Sequence, residues 1–187
     1  ITANTHYIMN DTIKILDKTF KKSIPEETII SSIDKIAEKI NTDLRDDNPL
    51  FISILNGSFM FASDLMKRID FPCEISFVKI ASYHGTSSSG EMLELIGLKE
   101  NLKGRTIVVV EDLVDSGQTM SKVLEIVQNR GAGEIHIATL FFKPGAIQHN
   151  ISLDYVAMEI PNDFIVGYGL DYDGYGRNLR DIYTVVE

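Results

Sequence analysis

From Val109 to Thr119 the chain reads Val-Val-Glu-Asp-Leu-Val-Asp-Ser-Gly-Gln-Thr. Two adjacent carboxylates, Glu111 and Asp112, close an apolar run, and a third, Asp115, is followed by Ser116, Gly117, Gln118 and Thr119. Carboxylates at the end of a buried strand are costly unless something polar meets them. Metal-bridged sugar hydroxyls would meet them, because Mg²⁺ prefers oxygen ligands and shares them between carboxylates and substrate. Ser, Gly and Thr ahead of a helix add hydroxyls and backbone N–H groups that can surround a phosphate at the positive end of the helix dipole. This is not the ATPase cradle, since Gly-x-x-x-x-Gly-Lys-Ser/Thr is absent, and there is no Gly-x-Gly-x-x-Gly dinucleotide fingerprint. The plainer alternative is that Asp115 or Ser116 merely caps the helix. Capping accounts for one of those residues but not for the Glu-Asp pair upstream.

Such a loop needs a strand before it and a helix after it. Thr106 to Val110 is a continuous β-branched run suited to a central parallel strand buried on both faces. Met120, Val123, Leu124 and Val127 then mark a helix that closes at Arg130-Gly131. Upstream, Ile29, Ile33, Ile36, Ala37, Ile40 and Leu44 recur at helical spacing within Glu26 to Leu44. Leu50 to Leu55 reads as a strand, Asn56-Gly57-Ser58 as a loop, and Ala62, Leu65, Met66 and Ile69 as a second helix. Glu74 to Ser82 and Glu134 to Phe142 are further strands, and Glu91 to Ile96 is a return strand after the flexible run His84 to Gly90. The alternation implies an α/β fold: a parallel Rossmann-like sheet with helices on both faces and ligands bound beyond the carboxyl ends of strands. From Tyr155 onward the apolar stretches are short and punctuated by Pro161, Gly167, Gly169, Gly174 and Gly176, which reads as small strands and loops forming a cap.

Composition narrows the function classes. With 187 residues and 44% hydrophobic content, one domain spanning the chain is expected, its core about 25–150 and its hood formed by the N-terminal segment and about 151–187. A net charge of −9 without a Lys/Arg run argues against a nucleic-acid or anionic-membrane surface, so phosphate must be met locally. The single cysteine, Cys73, excludes an intramolecular disulfide. No basic-then-apolar leader opens the sequence and no stretch approaches the roughly 18 apolar residues of a membrane span. The expectation is a cytoplasmic protein.

Four apolar residues, two acidic, two apolar, then Asp-Ser-Gly-x-Thr resemble the phosphoribosyl-pyrophosphate motif of the type I phosphoribosyltransferases. The resemblance to the hypoxanthine-guanine branch of that family runs from about Ile13 to Val186. It implies ribose and 5′-phosphate contacts from Glu111, Asp112, Asp115, Ser116, Gly117, Gln118 and Thr119, with Mg²⁺ on Glu111 and Asp112. Leu55-Asn56-Gly57-Ser58 is similar to the family's pyrophosphate loop, with a cis bond before Asn56, where many members carry Lys. The resemblance gives pyrophosphate to Asn56, Gly57 and Arg177, and it makes Ser82-Tyr83 and the Ser/Gly-rich stretch after them a lid that excludes water. It gives the purine to Lys143, which contacts the 6-oxo group, to Phe164, which stacks, and to the backbone of Ile165. Asp171 is placed near a second Mg²⁺. It also implies a homodimer or homotetramer.

The reaction implied is transfer of the 5-phosphoribosyl group from phosphoribosyl pyrophosphate to N9 of hypoxanthine or guanine. Asp115 is the expected catalytic carboxylate, accepting the proton of the base. Two readings compete: a regulatory phosphoribosyl-binding protein, disfavoured by the acidic balance, and a transferase for adenine, orotate or uracil, disfavoured by Lys143 and the Phe164 to Tyr172 stretch.

Overall fold

The computed structural model describes residues 11–84 and 91–186, with the side chains of 81–84 and 91–95 excepted. Six strands make the core sheet: β3 (Leu50–Leu55), β4 (Glu74–His84), β5 (Glu91–Ile96), β6 (Ile107–Val114), β7 (Ile135–Phe142) and β8 (Tyr155–Glu159). Their order is β5-β4-β3-β6-β7-β8. β4, β3, β6, β7 and β8 run parallel, and β5 returns antiparallel along the β4 edge.

Burial explains why β6 lies at the centre. Ile107, Val108, Val109 and Val110 are all fully buried, and they alternate between two cores. Val108 and Val110 pack with α1 (Glu26–Asp43) and α2 (Phe59–Met66), whereas Ile107 and Val109 pack with α3 (Gln118–Asn129). The helices therefore cover both faces. α1 buries Ile29, Ile33, Ile36, Ala37 and Ile40 in one stripe, each isoleucine contributing about 1.5–3 kcal/mol relative to exposure. Pro25 stands at its N-cap and offers no side-chain bond. Asp181, distant in sequence, accepts from the Glu26 N–H at 2.8 Å instead.

A second, antiparallel sheet is built from both ends of the chain. β1 (Thr12–Ile15), β2 (Lys18–Ile24), β10 (Ile182–Val185) and β9 (Ile165–Val166) are ordered β1-β2-β10-β9. It encloses its own small core of Ile13, Ile15, Phe20, Val166 and Leu179. Among the described residues no helix is long and apolar enough to cross a membrane.

Three local expectations shift. β6 does not end at Val110: pairing continues through Glu111↔Thr139 and Leu113↔Phe141 to Val114↔Phe142, so the acidic pair lies within the strand. The segment 155–159, expected in the cap, pairs with β7 and extends the core sheet. α2 stops at Met66, with Ile69 still packed on the core from the turn that follows.

Candidate active site

The carboxyl ends of β3, β6 and β7 carry most of the residues singled out by the sequence. On β6, Asp112 is 9% exposed, and Glu111 Oε2 is sealed from solvent with no hydrogen-bond partner. Burial, reinforced by the neighbouring Asp112, pushes the Glu111 carboxyl well above the ordinary carboxylate range. Burial raises Asp112 too, opposed by its own and Leu113's backbone N–H groups and by the Arg177 charge. An orphaned buried carboxylate oxygen needs a proton or a cation. The pair thus fits an oxygen-liganded divalent ion of the Mg²⁺ type.

Asp112 is closed from above by a layered contact between three segments. The peptide Leu55-Asn56 is cis, as expected, and Ser58 closes the turn, its hydroxyl donating to the Ile54 carbonyl and lying 2.7 Å from Ser53 Oγ. This brings Gly57 onto the acidic pair: a Cβ there would fall 1.6 Å from Asp112 Oδ2. Gly169 lies on the other side, where a Cβ would fall 2.0 Å from the Gly57 carbonyl oxygen. Only glycine fits at either position. Asn56 itself is exposed.

Gly169 is bonded to Arg177 in both directions, its N–H donating to the Arg177 carbonyl at 3.0 Å and its carbonyl accepting from Arg177 Nη1 at 2.7 Å. Arg177 Nη2 also pairs with Asp171 Oδ1 at 2.7 Å, and Asp171 Oδ2 accepts from Gly174 N–H at 2.6 Å. Asn56-Gly57, Asp112, Arg177 and Asp171 therefore form one linked constellation. Asp171 is engaged with Arg177, and among the described residues no three His, Cys, Asp or Glu side chains converge as one metal cluster.

The loop after β6 forms an open cleft lined by Glu111, Asp115, Ser116, Gly117, Thr119 and neighbours. Gly117 is left-handed at φ 80° and starts α3 without a side-chain cap of its own. Ser116 Oγ accepts from the Gln118 N–H at 3.3 Å, whereas Asp115 is paired with Lys143. Lys143 is 5% exposed, its Nζ is 3.4 Å from Asp115 Oδ2, and its N–H donates to the Val114 carbonyl at 3.0 Å. The segment after Lys143 returns to the loop, where Gln148 N–H donates to the Ser116 carbonyl at 2.9 Å.

Ile165 opens β9 of the second sheet and Phe164 stands immediately before it. The Phe164 ring is 44% exposed. Behind it lie Phe20, at 6.1 Å between ring centroids, and Tyr172, edge-on at 5.8 Å. An exposed aromatic braced by two others is a flat stacking surface. Ile165 is buried and pairs with Thr184. Ser82 and Tyr83 pair through the backbone with Leu93 and Met92, while 85–90, the middle of the expected lid, lie outside the described residues. Cys73 is half-buried, and burial pushes its thiol up, away from reactivity.

Sequence reasoning did not single out Gly169, the Asp64–Tyr168 hydrogen bond, or Ile147 and Ile151, which enclose Gly117. The Gly-Tyr-Gly run at 167–169 was the available signal for the first two, since paired glycines mark backbone in close approach. Ile147 and Ile151 gave none.

A family model for the phosphoribosyl transferase domain matches residues 23–173. A hypoxanthine-guanine phosphoribosyltransferase of Streptococcus pyogenes is 46% identical over 163 residues, covering 87% of this chain and 91% of its own. One of Streptococcus agalactiae is 40% identical over 175 residues, covering 92% and 97%. Among solved structures, a hypoxanthine phosphoribosyltransferase of Staphylococcus aureus superposes with a TM-score of 0.81 at 34% identity, over 89% of this chain and 91% of that one.

Proposed function

Because the chain belongs to the phosphoribosyl transferase domain family, we propose that it is a purine-salvage enzyme that moves the 5-phosphoribosyl group of phosphoribosyl pyrophosphate onto N9 of hypoxanthine or guanine. The observation that carries the reading is the Asp115–Lys143 pair beside the phosphate loop, in a chain 46% identical to a hypoxanthine-guanine phosphoribosyltransferase.

In the reaction the ribose C1–N9 bond forms, the C1–O bond to pyrophosphate breaks, and charge develops on the ribose as the leaving group departs. Asp115 accepts the proton that the base loses on bonding. Lys143 donates to the purine 6-oxo group, which selects oxopurines over adenine. Phe164 stacks on the base, and the Ile165 backbone reads its edge. Ser116, Gly117, Gln118 and Thr119 hold the 5′-phosphate at the start of α3. Arg177, with Asn56 and Gly57, takes up pyrophosphate, and Ser82-Tyr83 lead the lid. Glu111 and Asp112 would hold Mg²⁺ and Asp171 would lie near a second Mg²⁺; bound metal would neutralise charge on the donor's pyrophosphate and help orient its ribose hydroxyls. The orphaned Glu111 Oε2 supports that assignment.

The same reading takes the chain as one functional unit, core plus hood, working in the cytoplasm as a homodimer or homotetramer. The lone cysteine is compatible with a reducing compartment.

Base-dependent pyrophosphate release tests the proposal. Release from phosphoribosyl pyrophosphate and Mg²⁺ on adding hypoxanthine or guanine supports it; release that needs neither base sinks it.

A further inference from the structure

We propose that Tyr168, held by Asp64, is a positioning residue that sets the 169–177 loop against the pyrophosphate loop and thereby governs affinity for pyrophosphate. The inference rests on the phosphoribosyltransferase reading above.

Tyr168 is 2% exposed and sits in the left-handed region at φ 46°, between Gly167 and Gly169, which are also left-handed. A tyrosine keeps that conformation only where its surroundings enforce it. Here two contacts do so: its N–H donates to the Leu179 carbonyl at 2.8 Å, and its hydroxyl donates to Asp64 Oδ2. Asp64 is fixed in turn, its Oδ1 2.5 Å from Lys67 Nζ and its carbonyl accepting from Arg68 Nη1 at 2.8 Å.

The consequence follows from chain connectivity. Asp64 lies on α2, the helix that begins directly after Leu55-Asn56-Gly57-Ser58. Tyr168 directly precedes Gly169, which rests on the Gly57 carbonyl with no room for a Cβ. Gly169 also holds the Arg177 guanidinium through its carbonyl. The Tyr168–Asp64 bond therefore ties the loop that orients Arg177 to the helix that carries the pyrophosphate loop. With the phenol untethered, glycines on both sides leave the loop free to lift. The phosphate loop after β6 and the Lys143 segment have no bond to this pair among the described residues, and Ile165 and Phe164 are held separately by Thr184 and Phe20, so the effect falls on the pyrophosphate half of the site. Burial, reinforced by the Asp64 carboxylate, pushes the phenol well above its ordinary range, so it stays a donor.

The test compares two ligands on the whole protein with Mg²⁺: inorganic pyrophosphate, and IMP, which engages the phosphate loop and base contacts but not the pyrophosphate loop. Tyr168→Phe keeps the ring and removes only the hydroxyl; it should weaken pyrophosphate binding about fivefold to tenfold while IMP affinity stays within about twofold. The KM for phosphoribosyl pyrophosphate should rise in parallel, with the KM for hypoxanthine unchanged. Asp64→Leu should match it, and Asp64→Asn, which retains an acceptor oxygen, should restore most of the affinity. The double variant Tyr168→Phe/Asp64→Leu should be no worse than either single one, because they share one interaction. Equal weakening for IMP and pyrophosphate, or unchanged pyrophosphate affinity in both single variants, overturns the inference. If the wild-type protein binds neither ligand, the phosphoribosyltransferase reading falls first.

Discussion

Lys143 Nζ lies 3.4 Å from Asp115 Oδ2, joining the loop after β7 to the loop after β6. Lys143 is buried and Asp115 is half exposed, so the ammonium is held in place by a carboxylate that still reaches the solvent-filled cleft. On the proposed function, Lys143 would meet the base oxygen and Asp115 the base proton. Asp115→Asn should remain folded and lower kcat with both oxopurines by about 100-fold or more, the usual scale for losing a positioned proton acceptor. Wild-type turnover in the variant would remove Asp115 from the reaction.

Lys143→Ala should raise the KM for hypoxanthine about tenfold or more, as loss of a charge-assisted hydrogen bond does. The KM for phosphoribosyl pyrophosphate should move much less. Steady-state kinetics with each substrate varied in turn decides it, and equal losses count against a base contact.

Gly57 offers the sharpest steric prediction. A methyl group at that position would overlap Asp112 Oδ2 at 1.6 Å, so Gly57→Ala must either displace the pyrophosphate loop or rotate the buried carboxylate. The variant should lose at least about 100-fold in kcat/KM for phosphoribosyl pyrophosphate, since misplacement by about 1 Å has that scale of effect. Gly104→Ala, where nothing lies within 4 Å, is the control for a left-handed glycine away from the site and should keep its activity.

Asp181 couples stability to pH. Burial alone would raise its carboxyl, but the hydrogen bonds from Lys22 and from the Glu26 N–H outweigh it, leaving Asp181 below the ordinary range. A depressed folded-state value means the contribution is present above the unfolded value near pH 4 and is lost as pH falls through the folded one. Asp181→Ala should cost about 1–2 kcal/mol at neutral pH by denaturant titration, the scale of a lost helix cap. The gap between the two proteins should narrow below about pH 4.

Much of this was legible before the structure. The β-branched run at 106–110 announced a strand buried on both faces, because only such a strand omits polar residues on either side. The isoleucine stripe of α1 gave its helix directly. The acidic pair and the Ser-Gly-Gln-Thr loop were singled out by type and spacing, and Glu111, Asp115, Ser116, Gly117 and Thr119 do line one cleft. What stayed hidden is long-range. Asp181 caps α1 from 155 residues away, and Tyr168 meets Asp64 across 104; no local pattern encodes either partner. The extension of β6 through Glu111 and Asp112 was likewise missed, because pairing with β7 overrides the low strand propensity of two carboxylates.

The central claim is transfer to an oxopurine, and its most direct measurement is product identification from competing bases. The protein is incubated with phosphoribosyl pyrophosphate, Mg²⁺ and an equimolar mixture of hypoxanthine, guanine, adenine, orotate and uracil, and the nucleotides formed are resolved by mass. The account predicts IMP and GMP with matching pyrophosphate release. AMP, OMP or UMP as the main product, or no nucleotide at all from an intact protein, would contradict it.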